Sequence, residues 1–171
     1  MTHYAKGYQG EELVARSIGR LGLKVIYVGG AVKYTIDGPT FFCSDLLVYG
    51  YGRSFFVQVK HKEVRRKYGD TGLEEYQYNN LLKHQSNTGL STLLLFTDKS
   101  GQIYGHWVVE LHRLISCQHP DPRAWNKEDE CWMIYFHRNL LQDYRVLLES
   151  HIPQPSQTNL KLEELFWDEK S

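Results

Sequence analysis

Cysteine is scarce. The 171-residue chain holds three, Cys43, Cys117 and Cys131, an odd number at irregular spacing. That argues against a disulfide framework and fits a reducing compartment. Cys117 and His119, with His112 before and Cys131 after, match no compact zinc-finger spacing, so unpaired thiols and loop histidines are expected there. An excess of charge is missing as well, since 20 Lys and Arg balance 20 Asp and Glu. No global field draws the chain onto a polyanion, and nucleic-acid contact would have to come from a local basic patch. No apolar run approaches the ~20 residues of a membrane span. The opening Met1-Thr2-His3-Tyr4-Ala5-Lys6 has no signal-peptide apolar region, so a cytoplasmic protein without a membrane partner is expected. Gly-x-Gly-x-x-Gly and Gly-Lys-Ser/Thr are absent, which removes the dinucleotide and P-loop signatures. No internal repeat or low-complexity tract interrupts the chain. Its length suits one well-buried domain, expected over residues 1–150 with a C-terminal extension at 151–171.

What is present is an apolar hairpin with polar side chains in it. Residues 44 to 60 read as two short strands joined by the glycine turn Gly50-Tyr51-Gly52. Alternation puts Phe56, Gln58 and Lys60 on one side of the second strand and Phe55, Val57 and Val59 on the other. Asp45 falls on the neighbouring strand. An acid, an amide and a lysine among apolar residues are either a costly polar cluster or a used one. Two oxygen ligands beside a lysine suit a hard divalent cation and an activated water.

The rest of the chain is arranged around that hairpin. Residues 6–22 have apolar positions at 14, 18 and 21, which predicts a first helix ending at Gly22. Three residues back from Val14, Glu11 shares the inward face, either as an acid favoured near a helix's positive end or as a site residue. Leu23 to Val28 is a first strand, followed by a connection with room for an extra hairpin. Phe41 to Tyr49 and Ser54 to His61 are the central hairpin. The run Lys60 to Lys67 is the densest in basic residues, and it leaves the strand that bears the polar cluster. Gly69 to Gly72 predicts a mobile loop, with Thr71 capping a second helix from Leu73 to Asn87 that ends at Gly89. Leu90 to Thr97 and Ile103 to Val109 form a second hairpin, and Val109 to Ile115 a short helix. A polar loop is expected from Gln118 to Glu130. Cys131 to Phe136 and Tyr144 to Leu148 read as late strands, and Leu160 to Phe166 as a closing helix after Pro153 and Pro155. This order predicts an α/β sandwich of three layers around a mixed sheet.

The set Glu11, Asp45, Gln58, Val59, Lys60 resembles the active-site pattern of the PD-(D/E)XK nuclease superfamily, and the order of elements resembles it too, from about Lys6 to Thr97. The opening Lys6-Gly7 to Glu11 is similar to that of archaeal Holliday junction resolvases. Two positions depart from the pattern: residue 44 is Ser where the family name has proline, and residue 58 is Gln where it has Asp or Glu. A Gln-x-Lys variant is similar to that of a cyanobacterial homing endonuclease type. The resemblance implies a restriction-endonuclease-like core, a mixed central sheet flanked by helices, and a DNA endonuclease that hydrolyses phosphodiester bonds with Mg2+ or Mn2+. A site-specific homing or restriction enzyme is favoured, with a junction resolvase and a non-catalytic nucleic-acid or partner-binding protein of the same fold as alternatives. Asp45, Gln58, the Val59 carbonyl and Glu11 would hold the metal, and Lys60 would serve catalysis. Lys62, Arg65, Arg66 and Lys67, with Tyr76, Gln77 and Gln85, are the candidates for holding the DNA backbone. A duplex cut by chains of this size implies a homodimer or homotetramer.

Overall fold

The computed structural model describes residues 3–29, 32–35, 38–41, 44–118, 122–127 and 130–152, with backbone alone at 3–6 and 32–41. Cys43, His119, Pro153, Pro155 and the expected closing helix lie outside the described residues.

The chain begins with helix α1 (His3–Gly19), whose Val14 and Ile18 are fully buried. Strand β1 (Lys24–Tyr27) follows, then a small hairpin of β2 (Val32–Thr35) and β3 (Gly38–Phe41), the extra hairpin for which the sequence had room. The central hairpin is β4 (Leu46–Gly50) and β5 (Arg53–His61), turned through Tyr51 and Gly52 at positive φ. Next come β6 (Asp70–Glu74), α2 (Glu75–Thr88), β7 (Thr92–Thr97), β8 (Ile103–Trp107) and α3 (Val108–Gln118). The chain continues with β9 (Arg123–Asn126), β10 (Cys131–His137), β11 (Gln142–Asp143) and α4 (Tyr144–Leu148).

Six strands form the main sheet in the order β1-β4-β5-β7-β8-β11. Only β5 and β7 run parallel, because β6 and α2 carry the chain over one face before β7 enters beside β5. The six residues of β7 are all buried, as a strand covered on both faces requires. Leu93 and Leu95 point into a core with Val14, Ile18, Val57, Val59 and Leu148. Leu94 and Phe96 point the other way, into a core with Tyr78, Leu81, Leu111 and Ile134. The result is the expected three-layer α/β sandwich. Among the described residues no helix is long and apolar enough to cross a membrane.

Several local expectations are corrected. Only Gly69 of the expected mobile loop turns the chain, at φ 65°, and Asp70 to Glu74 is a strand paired with β10. Gly72 permits that pairing, since a Cβ there would lie 2.1 Å from the Ile134 carbonyl oxygen. Thr71 is therefore buried in a strand and caps nothing, and α2 starts two residues later than expected. Tyr144 to Leu148 is helix, not strand: the Asp143 carboxylate accepts from the Arg145 amide, and Tyr144, Leu147 and Leu148 bury one helical face. β9 forms inside the expected polar loop, joining β10 and β6 in a separate three-stranded sheet.

Candidate active site

Main-chain bonds fix Asp45 just ahead of β4. Its amide donates to the Val57 carbonyl at 3.0 Å, and its own carbonyl accepts from Val28 and Gly29 at 2.8 and 2.9 Å. Tied on both sides, the residue has little freedom but its side chain. Oδ2 accepts from the Val59 amide at 2.7 Å and from Gln58 Nε2 at 2.6 Å. Gln58 Nε2 also reaches the Val59 carbonyl at 3.3 Å. Phe55, Val57 and Val59 join the α1-side core, while Phe56 packs on His84 of α2 with ring centroids 4.5 Å apart. Lys60 accordingly turns toward α2, where Nζ donates to Gln77 Oε1. Asp45, Gln58 and Lys60 all remain partly exposed.

Glu11 reaches the same place from α1, and Gly10 lets it. Gly10 is buried, and a Cβ there would sit 2.9 Å from Thr97 Oγ1 and 3.4 Å from His61 Cβ. The missing side chain thus lets the helix approach the ends of β5 and β7. Gly10→Val should lift α1, cost about 1–3 kcal/mol by overpacking and displace Glu11. Gly10→Ala should be tolerated better in a Thr97→Ala background, which thermal melts of the single and double variants would check.

The electrostatics tie the four groups together. Burial pushes the Asp45 carboxyl above its ordinary range, against the lowering effects of the Val59 amide, the Lys60 charge and the Gln58 bond. Burial also raises Glu11, repulsion from Asp45 adds to it, and Lys60 opposes both. Two carboxylates, of which Asp45 disfavours the ionisation of Glu11, one neutral amide and an adjacent carbonyl form an all-oxygen donor set, provided the Gln58 amide rotates by half a turn. Such a set fits a hard cation such as Mg2+, which needs only one or two protein carboxylates. Among the described residues there is no cluster of three or more His, Cys, Asp or Glu, so a cation at this point would rest on two carboxylates and the Gln58 and Val59 oxygens.

The residues expected to hold DNA divide into two sets. Arg65 is engaged within the protein: it forms a two-pronged ion pair with Asp70 at 2.6 and 2.5 Å and lies over the Tyr135 ring at 3.6 Å. Lys62 Nζ donates to the Gly72 carbonyl at 3.1 Å. Gln85 Oε1 accepts from the Thr92 amide at 3.0 Å, holding α2 to the start of β7. Arg66, Lys67 and Tyr76 are exposed. Gln77 is the bridge, receiving Lys60 at its oxygen and donating to the Tyr76 hydroxyl at 2.9 Å. The contact with Lys60 was not read from the sequence; the place of Gln77 three residues into a helix, opposite the lysine strand, was the available signal.

No protein-family model matches the chain, and no curated protein does. Solved structures do. The chain is similar to the Holliday junction resolvase Hjc of the archaeal hyperthermophile Archaeoglobus fulgidus, with a TM-score of 0.56 and 12% identity over 84% of this chain and 96% of that one. It also aligns with a nuclease from a fusselovirus at a TM-score of 0.48 and 9% identity, over 84% of this chain and 87% of that one. The first likeness places the chain among proteins of restriction-endonuclease-like fold, as the hairpin and its flanking helices led one to expect.

Proposed function

We propose that this protein is a DNA endonuclease that hydrolyses phosphodiester bonds with the help of Mg2+ or Mn2+. The observation that carries the reading is the meeting of Asp45, Gln58, Lys60 and Glu11 at one partly exposed point, where the Lys60 ammonium is anchored by Gln77. Asp45, Glu11, the Gln58 side-chain oxygen and the Val59 carbonyl would hold the cation. When bound, it would supply Lewis acidity toward the phosphate and acidify a water. Lys60 has a donor free to turn from Gln77 to a phosphate oxygen, so it steadies the charge that develops as water attacks. Glu11 and Asp45 are raised by burial and must ionise before they can serve, so cleavage should fade on acidification at a pH above the usual carboxylate range.

A second reading, a junction resolvase, is favoured by the near-complete coverage of the archaeal resolvase by this fold. A homing or restriction type is favoured by Gln58 and by the extra C-terminal region, which could carry specificity or subunit contacts. Each chain offers one such site, so cutting both strands calls for two copies. The test is nicking of supercoiled plasmid with Mg2+ or Mn2+, alongside a synthetic four-way junction and linear duplexes of the same arms. Cation-dependent cutting supports the proposal, and preference for the junction supports the resolvase reading. Failure to cut any DNA would leave a nuclease-fold binding protein, the reading that Gln58 and the zero net charge favour.

A further inference from the structure

Arg20, Arg138 and Arg145 are distant in sequence, yet all three line one concavity of about 570 Å3 between the end of α1, the β7–β8 turn and the start of α4. Their pairing sets them apart. Among the described residues the ion-paired arginines are Arg16, Arg65 and Arg123, and none of these three. Arg138 is instead stacked 3.8 Å over the Tyr104 ring and donates Nη1 to the Leu141 carbonyl at 2.9 Å. Arg145 donates Nε to the Tyr144 hydroxyl at 3.4 Å. Both guanidiniums are thus steadied by contacts other than a direct ion pair. Arg20 and Arg145 are exposed, Arg138 partly so.

One acid, Asp143, lines the recess against three arginines. Its Oδ1 accepts from the Arg145 amide at 2.9 Å, and the Asp143 charge supports that of Arg145. Glu63 and Asp98 act on Tyr104 from the turn side, and Asp98 is engaged by Ser100 and by the Gln102 amide at 2.6–3.1 Å. In a chain of zero net charge, three arginines around one recess with a single lining carboxylate leave an excess of positive charge there that a bound anion would offset. Planar donors of this kind match phosphate oxygens. A nucleobase has no open ring to stack on there, since Tyr104 is covered by Arg138 and Tyr144 is engaged by Arg145. The recess therefore suits a sugar-phosphate backbone better than a free nucleotide.

Its position relative to the candidate active site is set by α1. Leu13, the first lining residue, comes two residues after Glu11, and Arg20 directly follows the last residue of the same helix, its amide still donating to the Arg16 carbonyl at 3.1 Å. Nine residues at about 1.5 Å each span roughly 13–14 Å, or about four nucleotide steps along a duplex axis at about 3.4 Å. We propose that the Arg20–Arg138–Arg145 recess seats the phosphate backbone of the DNA about four nucleotides from the scissile bond. The proposal rests on the endonuclease reading, and it relocates the main DNA contact from the basic run at residues 62–67 to an arginine recess assembled by the fold.

The test is fluorescence anisotropy of a labelled duplex in EDTA, titrated over a range of KCl, with wild type, Arg20→Gln, Arg145→Gln, the double variant and Arg138→Gln. Each lost contact should reduce the slope of log affinity against log salt by about 0.9, and the double variant should bind at least about tenfold more weakly at low salt. Arg138→Gln can also unsettle Tyr104, so a thermal melt accompanies it and the two exposed arginines decide the matter. An unchanged slope in the double variant, or no DNA binding by wild type, overturns the proposal. So does inorganic phosphate binding that depends on the arginines while DNA affinity does not. Cleavage separates the two readings. Slope changes without any cutting by wild type reject the nuclease and keep the recess, whereas cutting with unchanged slopes rejects the recess and keeps the nuclease.

Discussion

Asp45→Asn is expected to lower cleavage by at least about 10²- to 10³-fold, the scale on which removing one preorganised charged or polar group from an active site acts, without destabilising the metal-free protein at neutral pH. The two halves of this expectation have one cause. The folded protein holds Asp45 in a half-buried place that raises its carboxyl above its ordinary value, burial outweighing the Val59, Lys60 and Gln58 contributions. A carboxyl raised on folding keeps its proton longer in the native than in the unfolded chain. Stability is therefore greatest below the unfolded value and falls as pH rises through the folded one. Asparagine carries no such penalty. Its Oδ1 can still accept from the Val59 amide, the bond that spans 2.7 Å in the native protein. The melting temperature of Asp45→Asn relative to wild type should rise from acid to neutral pH in a chelator. Adding Mg2+ should raise the wild-type melting temperature and leave the variant's where it was. A carbon-detected titration of Glu11 gives an independent reading, because loss of the Asp45 charge should bring its carboxyl back toward the ordinary range. A variant that cuts like wild type would remove Asp45 from the site.

The hairpin that defines this site was legible because two local rules agree on it. Period-two alternation assigned Phe55, Val57 and Val59 to one core and Gln58 and Lys60 to the other face, and Gly50 and Gly52 marked the turn. β7 was legible as a continuous apolar run with no polar face. What the sequence misassigned depended on distant partners. Asp70 to Gly72 looked like a loop, and Leu73 and Glu74 like the start of a helix, because Gly69 and Gly72 read as turn residues, whereas Gly72 makes room for the passage of β10. Tyr144 to Leu148 has strand-like apolar content, and only the Asp143 cap and the i, i+3, i+4 burial make it a helix. The arginine recess was invisible for a similar reason: residues 20, 138 and 145 share nothing local. The basic run at 62–67 stood out by its density and because it leaves the strand that bears the polar cluster, and within it the fold engages Arg65 with Asp70 and Lys62 with Gly72.

Lys60→Ala should be the other severe lesion, with cleavage reduced by about 10²- to 10⁴-fold, the range for a positioned proton-transferring or charge-stabilising group. Lys60→Arg should rescue little, since a planar guanidinium differs from a point-like ammonium in shape and hydration. The informative comparison is with Gln77. Its oxygen receives the lysine and its amide is held by the Tyr76 hydroxyl at 2.9 Å, so the ammonium is aimed by a two-residue relay at the start of α2. Gln77→Ala should leave the charge in place but let it wander, lowering kcat about tenfold with KM little changed, as expected for mispositioning at a reacting centre. Gln77→Glu should do more harm than alanine, because a carboxylate would pair with Lys60 and withdraw its field from the phosphate. A residue that acts only through another has a signature in a double-mutant cycle. Removing Gln77 from a chain that already lacks Lys60 should cost nothing further. Equal losses in the two backgrounds would show that Gln77 meets the DNA itself, and that the contact between it and Lys60 is incidental to cleavage.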